Sequence, residues 1–307
     1  MSGSAPPVVL VHGLRASRTM WRAQVEALGR AGRTVVAVDL PGHGRRIEET
    51  FTLDGAVAAV RDGVDEVGGR ALVVGLSLGG YTAIAHAARH PAQVAGLVAA
   101  ACSSVPRTAV VRAWAAAADG FFARLPDRGS AINQALVDRL LPADAAADVA
   151  AGGFALDVVG DVLRAMRAAT PLADLARVEA PVWLVNGRYD HFRGDERRFL
   201  AACRDARLVV VPGATHLVSL VQPVRFTRVL LEALAQVDAR EASGVPADQV
   251  PRSHPADDAG LVGHDHDVVA EPVEGRRGDA AGVAPTEVEA VPVEHRPEAL
   301  DDLPHAP

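Results

Sequence analysis

The sequence predicts an α/β protein: a mostly parallel, six-stranded sheet with helices on both faces, one helical insertion and a disordered C-terminal tail. Three observations carry that expectation. Between Val8 and Leu234, short apolar runs alternate with longer stretches of helical periodicity, the pattern of strands joined by crossover helices. Several of those runs open into loops of Gly, Pro, Asp and His, where chain reversal and chemistry both concentrate. Beyond Gln236 the chain turns to Pro, Ala, Asp, Glu and Gly with isolated valines, a composition that buries too little apolar surface to offset chain entropy.

The first run, Val8 to Val11, leads into His12, Gly13 and Leu14. The second, residues 34–38, leads into Asp39, Leu40, Pro41, Gly42, His43 and Gly44. The third, residues 71–74, ends in Gly75-Leu76-Ser77-Leu78-Gly79, and the alanine-rich residues 81–88 behind it are helix formers. The fourth run covers residues 94–99. Residues 106–175 then carry helical periodicity and no strand pattern. The fifth run, 182–185, opens into Asn186-Gly187-Arg188-Tyr189-Asp190, and the sixth, 208–211, into Pro212-Gly213-Ala214-Thr215-His216. The expected units are a sheet core made of 1–105 and 176–236, an insertion at 106–175 and an acidic tail at 237–307.

Gly-x-Ser-x-Gly between a strand and a helix nominates Ser77 as a nucleophile, because a sharp turn there presents the hydroxyl outward and leaves no room for a Cβ on either flank. Serine at its free pKa is weak and needs a base oriented by a third group. His216 and Asp190 stand at two other strand ends and are of the right types. Asp195 and Glu196 compete with Asp190 for the acid's place, their alternative being charges at a helix N-terminus. His12 and His43 sit in loops near the site, where structural hydrogen bonding is the expected role.

These motifs, in the order Ser77, Asp190, His216 and preceded by the His-Gly loop and the Asp-x-Pro-Gly-x-Gly turn, resemble the α/β-hydrolase superfamily from about Val8 to Leu234. The resemblance is to small serine carboxylesterases and lactonases with a helical cap. It implies the α/β-hydrolase fold, with Ser77 as nucleophile, His216 as general base and acid, and Asp190 as the group that orients the imidazole. It also implies an oxyanion hole from the backbone N–H groups of Leu14 and Leu78, and it makes the 106–175 insertion the cap. Members often begin with two more strands; seven residues precede Val8, so six strands are expected. Trp114, Phe121 and Phe122 of the insertion are candidates for a substrate pocket, with packing as their alternative, and Leu217 is a fourth candidate.

The expected activity is cleavage of a small carboxylic ester, thioester or lactone through an acyl-enzyme, without cofactor or metal. A cofactor-free perhydrolase or a carbon-carbon bond hydrolase on the same residues is an alternative. A non-catalytic protein holding a small apolar ligand is one of another class. The haloalkane dehalogenases resemble this fold but place aspartate where Ser77 stands, which disfavours them.

Charge and composition exclude other classes. From Asp238 to Pro307 sixteen acidic residues stand against five arginines, so the net charge of -7 conceals a body near +4, spread without a basic block. Nucleic acid is therefore not an expected partner. Two cysteines, Cys102 and Cys203, are too few for a disulfide framework and are expected as free thiols. His264, Asp265, His266 and Asp267 lie in the low-complexity tail, where no fixed metal geometry is expected. No signal-like or membrane-spanning run is present, so a cytoplasmic, membrane-free protein is expected, and no motif specifies an oligomeric state.

Overall fold

A computed structural model describes residues 5–106 and 130–243. Its sheet has six strands, β1 (Val8–Val11), β2 (Val35–Val38), β3 (Ala71–Leu76), β4 (Val94–Ala100), β5 (Val182–Gly187) and β6 (Ala206–Val211). They lie in the order β2-β1-β3-β4-β5-β6 and every neighbouring pair is parallel. The polar ends of the runs still pair: Asn186 lies opposite Val210 and Gly187 opposite Val211, which carries β5 two residues past its apolar stretch.

Alternation along the strands divides the core in two, because successive side chains leave a strand on opposite faces. Val8, Leu10, Leu72 and Val74 face one way and pack with Trp21, Phe226 and Leu230. Helices Arg22–Arg30 and Pro223–Ser243 cover that face, and the rings of Trp21 and Phe226 stack 5.9 Å apart. Val9, Val11, Ala71 and Val73 face the other way, with Val60, Ile84, Leu175 and Phe199. Helices Leu53–Glu66, Leu78–Arg89 and Glu196–Ala202 supply that layer. Local chemistry sets their starts: Thr52 Oγ1 accepts the Gly55 N–H at 3.0 Å, an N-cap for the helix at Leu53.

Between β4 and β5, four helices are described, Ser130–Leu140, Ala143–Ala151, Val159–Met166 and Pro171–Leu175, and no strand. Trp114, Phe121 and Phe122 fall outside the described residues. So does the tail from residue 244 onward, including the His264–Asp267 cluster.

The expected boundary at residue 236 is too early. The last helix runs without a break from Pro223 to Ser243. Val237 is buried in the core, Asp238 pairs with Arg33, Arg240 with Asp205, and Glu241 with Arg70. Arg33, Arg70 and Asp205 each sit just before a strand. The acidic residues that read as the onset of a tail are therefore the last turns of a helix, tied by ion pairs to the lower edge of the sheet.

The sheet order also fixes where a site can form. The chain passes from β1 outward to β2, then returns across β1 to β3, so the loops leaving β1 and β3 diverge at a topological switch point. In such sheets a crevice opens beyond the carboxyl ends of the strands at that point. Val11 lies opposite Gly75 in the register, which brings the loop of His12 to Leu14 beside Ser77.

Candidate active site

Ser77 stands between the end of β3 and the helix Leu78–Arg89 with φ 55° and ψ -114°, a strained conformation for a residue with a side chain. The surroundings over-determine it. Ser77 N–H donates to the Ala100 carbonyl at 2.8 Å. A Cβ on Gly79 would lie 2.2 Å from the Val11 carbonyl oxygen, and one on Gly75 would lie 2.2 Å from the Gly79 oxygen. The helix can begin directly behind the serine only because both positions lack a side chain.

The sheet brings the three nominated side chains together. Ser77 Oγ lies 3.0 Å from His216 Nε2, and His216 Nδ1 lies 3.0 Å from Asp190 Oδ1. A carboxylate can only accept, so Nδ1 carries the proton and Nε2 is left to accept from the serine hydroxyl. The loops bearing Asp190 and His216 are laced to each other: Tyr189 N–H donates to the Ala214 carbonyl at 2.9 Å and Arg188 N–H to Val211 at 3.0 Å. Gly187 permits this approach, since a Cβ there would lie 2.2 Å from the Thr215 oxygen.

Asp190 is buried, which opposes its ionisation, yet its pKa is lowered, because the hydrogen bond and charge of His216 and the N–H of Phe192 outweigh that cost. It is therefore a carboxylate near neutral pH. The two competing acids are engaged elsewhere. Asp195 accepts the Val105 N–H at 2.9 Å and pairs with Arg198, while Glu196 pairs with Arg193 and takes a bond from Asn186.

On the other side of Ser77, a Cβ on Gly13 would lie 3.6 Å from the Ser77 Cβ, so the loop after β1 runs against the nucleophile. Its Gly13 carbonyl accepts from His12 Nδ1 at 2.8 Å and from Ala16 N–H at 3.3 Å. In a trans peptide the N–H points opposite the carbonyl, so these two bonds orient the Leu14 N–H. Leu78 opens its helix, where the first four N–H groups have no intrahelical acceptor.

His12 uses both nitrogens, its Nε2 accepting the Leu40 N–H at 3.0 Å. Burial, with the neighbouring His43 imidazole, lowers its pKa to about 3 despite the Gly13 bond and Asp39. It is a neutral tie between two loops. His43 is also buried and binds the Pro41 carbonyl at 2.9 Å.

Leu217 is half-buried and packs on the core cluster of Trp21 and Phe226. Cys102 and Cys203 are free thiols; burial raises the pKa of Cys203 to about 12 and moves Cys102 up as well. Two residues that sequence reasoning passed over stand against the imidazole, His191 and Phe192. Their only signal was adjacency to Asp190. Among the described residues no group of three or more His, Cys, Asp or Glu could hold a metal ion, and no helix is long and apolar enough to cross a membrane.

Comparison with known proteins gives the same architecture. Epoxide hydrolase B of Mycobacterium tuberculosis is 39% identical over 98 residues, 30% of this chain and 28% of that protein. A pimeloyl-[acyl-carrier protein] methyl ester esterase of Neisseria meningitidis is 39% identical over 98 residues, 32% of this chain and 36% of its own. The chain thus spans about a third of the length of these curated relatives. Among solved structures, a thermophilic esterase from Thermogutta terrifontis superposes with TM-score 0.62 at 25% identity over 77% of this chain and 92% of that one. The enol-lactonase from Burkholderia xenovorans LB400 gives TM-score 0.60 at 25% identity over 76% and 92%. Residues 8–229 match the sequence pattern of the Alpha/beta hydrolase family as a whole, and the chain belongs to that family.

Proposed function

We propose that this chain is a serine hydrolase that cleaves a small carboxylic ester, thioester or lactone through an acyl-enzyme. One observation carries the proposal: the unbroken hydrogen-bond chain from Ser77 Oγ through His216 to Asp190, with 3.0 Å at each link. As the hydroxyl attacks the substrate carbonyl, His216 Nε2 takes its proton and Asp190 stabilises the resulting imidazolium. The tetrahedral oxyanion lies between the N–H groups of Leu14 and Leu78, each donor of this kind being worth roughly 2.7 to 4 kcal/mol of barrier. Collapse transfers the proton from His216 to the departing oxygen or sulfur and leaves the acyl group on Ser77. Water, deprotonated by the same imidazole, then attacks the acyl-enzyme and releases the acid.

The relatives support this class of chemistry, since an esterase and an enol-lactonase share the fold over most of the chain. Labelling with a fluorophosphonate tests the reading. The wild-type protein should be modified at Ser77 and lose turnover of short p-nitrophenyl esters in proportion, and Ser77→Ala should do neither. Equal labelling of the alanine variant, or labelling at another serine, would refute the assignment, and no labelling at any serine would favour a ligand-binding role. A panel of esters and lactones of graded acyl length then defines the substrate.

A further inference from the structure

Two aromatic rings pack against the imidazole of His216, and they come from the loop that carries its acid. The Phe192 ring centroid lies 4.8 Å from that of His216 at 42°, the His191 ring lies 5.1 Å from it at 41°, and the two rings lie 4.4 Å from each other. Phe192 also acts through its main chain: its N–H donates to Asp190 Oδ1 at 2.8 Å, the same oxygen that receives His216 Nδ1. One residue thus touches both ends of the Asp190–His216 bond, its backbone on the acid and its ring on the base.

The Asp190 side chain is fully buried, whereas that of His216 is 21% exposed, so water can reach the imidazole from one side. An imidazole turns about two soft side-chain torsions, and a single hydrogen bond to Asp190 does not restrain rotation about the bond's own axis. A phenyl ring packed beside it at 4.8 Å does. His191 differs: its side chain is 66% exposed and its Nδ1 stands 4.0 Å from Asp190 Oδ1, too far for a hydrogen bond.

We propose that Phe192 is a positioning residue for the hydrolytic reaction, its ring holding the His216 imidazole in line between Asp190 and Ser77 and shielding the Asp190–His216 bond from water. This rests on the serine-hydrolase reading of the site. It adds a role for a side chain outside the three-residue relay, and it makes His191 a rim residue without one.

The test compares Phe192→Ala, Phe192→Leu and His191→Ala, all of which keep the backbone N–H at Asp190. Phe192→Ala should lower kcat for a short p-nitrophenyl ester by roughly tenfold to a hundredfold, the range expected for a misaligned catalytic group, with KM changed less than about twofold. Phe192→Leu should recover most of that loss, and His191→Ala should stay near the wild-type rate. The downfield proton resonance of His216 Nδ1–H should exchange with water faster in Phe192→Ala at equal thermal stability. If Phe192→Ala does not fold, Phe192→Val, too short to reach the imidazole, takes its place. A variant that raises KM alone would make Phe192 a pocket wall, and a fall in kcat with an unchanged Nδ1 proton would deny it the positioning role; either result overturns the proposal. Because the resonance is read without turnover, it tests the positioning even if the wild-type protein proves inactive toward esters, an outcome that counts against the hydrolase reading alone.

Discussion

Acidification should unfold this protein from within, through histidines held neutral. His12 and His86 have no exposed surface. Burial with His43 brings the pKa of His12 to about 3, and burial with His90, whose ring lies 5.1 Å away, brings that of His86 to about 4 despite the Val57 carbonyl. Both stand near 6.5 in the unfolded chain. Between those values the unfolded state binds more protons than the folded one, so stability falls as pH falls. Integrated from neutrality to about pH 5, the loss is about 2 kcal/mol for each histidine and about 4 kcal/mol for the two. That is a large share of the roughly 5 to 15 kcal/mol that separates a folded domain from its unfolded chain. His43, also lowered by burial, adds in the same direction. Asp148 and Asp174, raised by burial, oppose the trend where carboxylates titrate, and the lowered pKa of Asp190 withdraws stability only at still lower pH. Urea unfolding followed by tryptophan fluorescence at neutral pH and at about pH 5 measures the difference, and His86→Leu should remove about half of it. Equal unfolding free energies at both pH values, or an unchanged difference in His86→Leu, would refute the reasoning.

The acid's assignment makes a paired prediction: Asp190→Asn should lower kcat by about 10³- to 10⁴-fold through loss of the correct tautomer. Asp195→Asn, which keeps an acceptor for Val105, should leave the rate near that of the wild type, and steady-state kinetics on one ester separates them. Gly79→Ala forces a Cβ to 2.2 Å from the Val11 oxygen and should cost about 3 kcal/mol or more in thermal unfolding, together with Ser77 labelling. Gly29→Ala, on an open helix surface, should instead be neutral or stabilise by up to about 1 kcal/mol. Truncation after Ser243 should leave melting temperature and esterase rate unchanged. Truncation after Gln236 should lower the melting temperature, because burial of a valine such as Val237 is worth about 1.5 to 3 kcal/mol and three ion pairs go with it.

Much of the site was legible because its residues sit where local rules are strict. A serine between two glycines at a strand end has few other conformational uses, and Asp190 and His216 each stand five residues past an apolar run, in the loop it opens into. The choice of Asp190 over Asp195 could not be made on residue type, since five positions of loop separate two equivalent carboxyls. Position made it, Asp190 being the nearer to the strand end, and in the structure Asp190 Oδ1 meets His216 while Asp195 accepts from Val105 and pairs with Arg198. Leu217, a pocket candidate, lies half-buried next to His216 and packs on the core cluster, a placement its position in the sequence did not show.

The boundary at residue 236 failed for a related reason. Asp238, Arg240 and Glu241 look like solvated polar chain until their partners Arg33, Asp205 and Arg70 are seen to come from distant positions at the base of the sheet.

What the sequence by itself determined was the set of strands, their apolar faces and the residue type at each strand end, because period, turn chemistry and steric exclusion act over a few neighbouring residues. Only the tertiary structure decided the distances at which the three loops meet, the partners that engage Asp195 and Glu196 elsewhere, and which rings pack against the imidazole. Those outcomes depend on strand order and register, and contacts between residues on different loops, whether Phe192 with His216 or Ser77 with His216, leave no local trace in the chain.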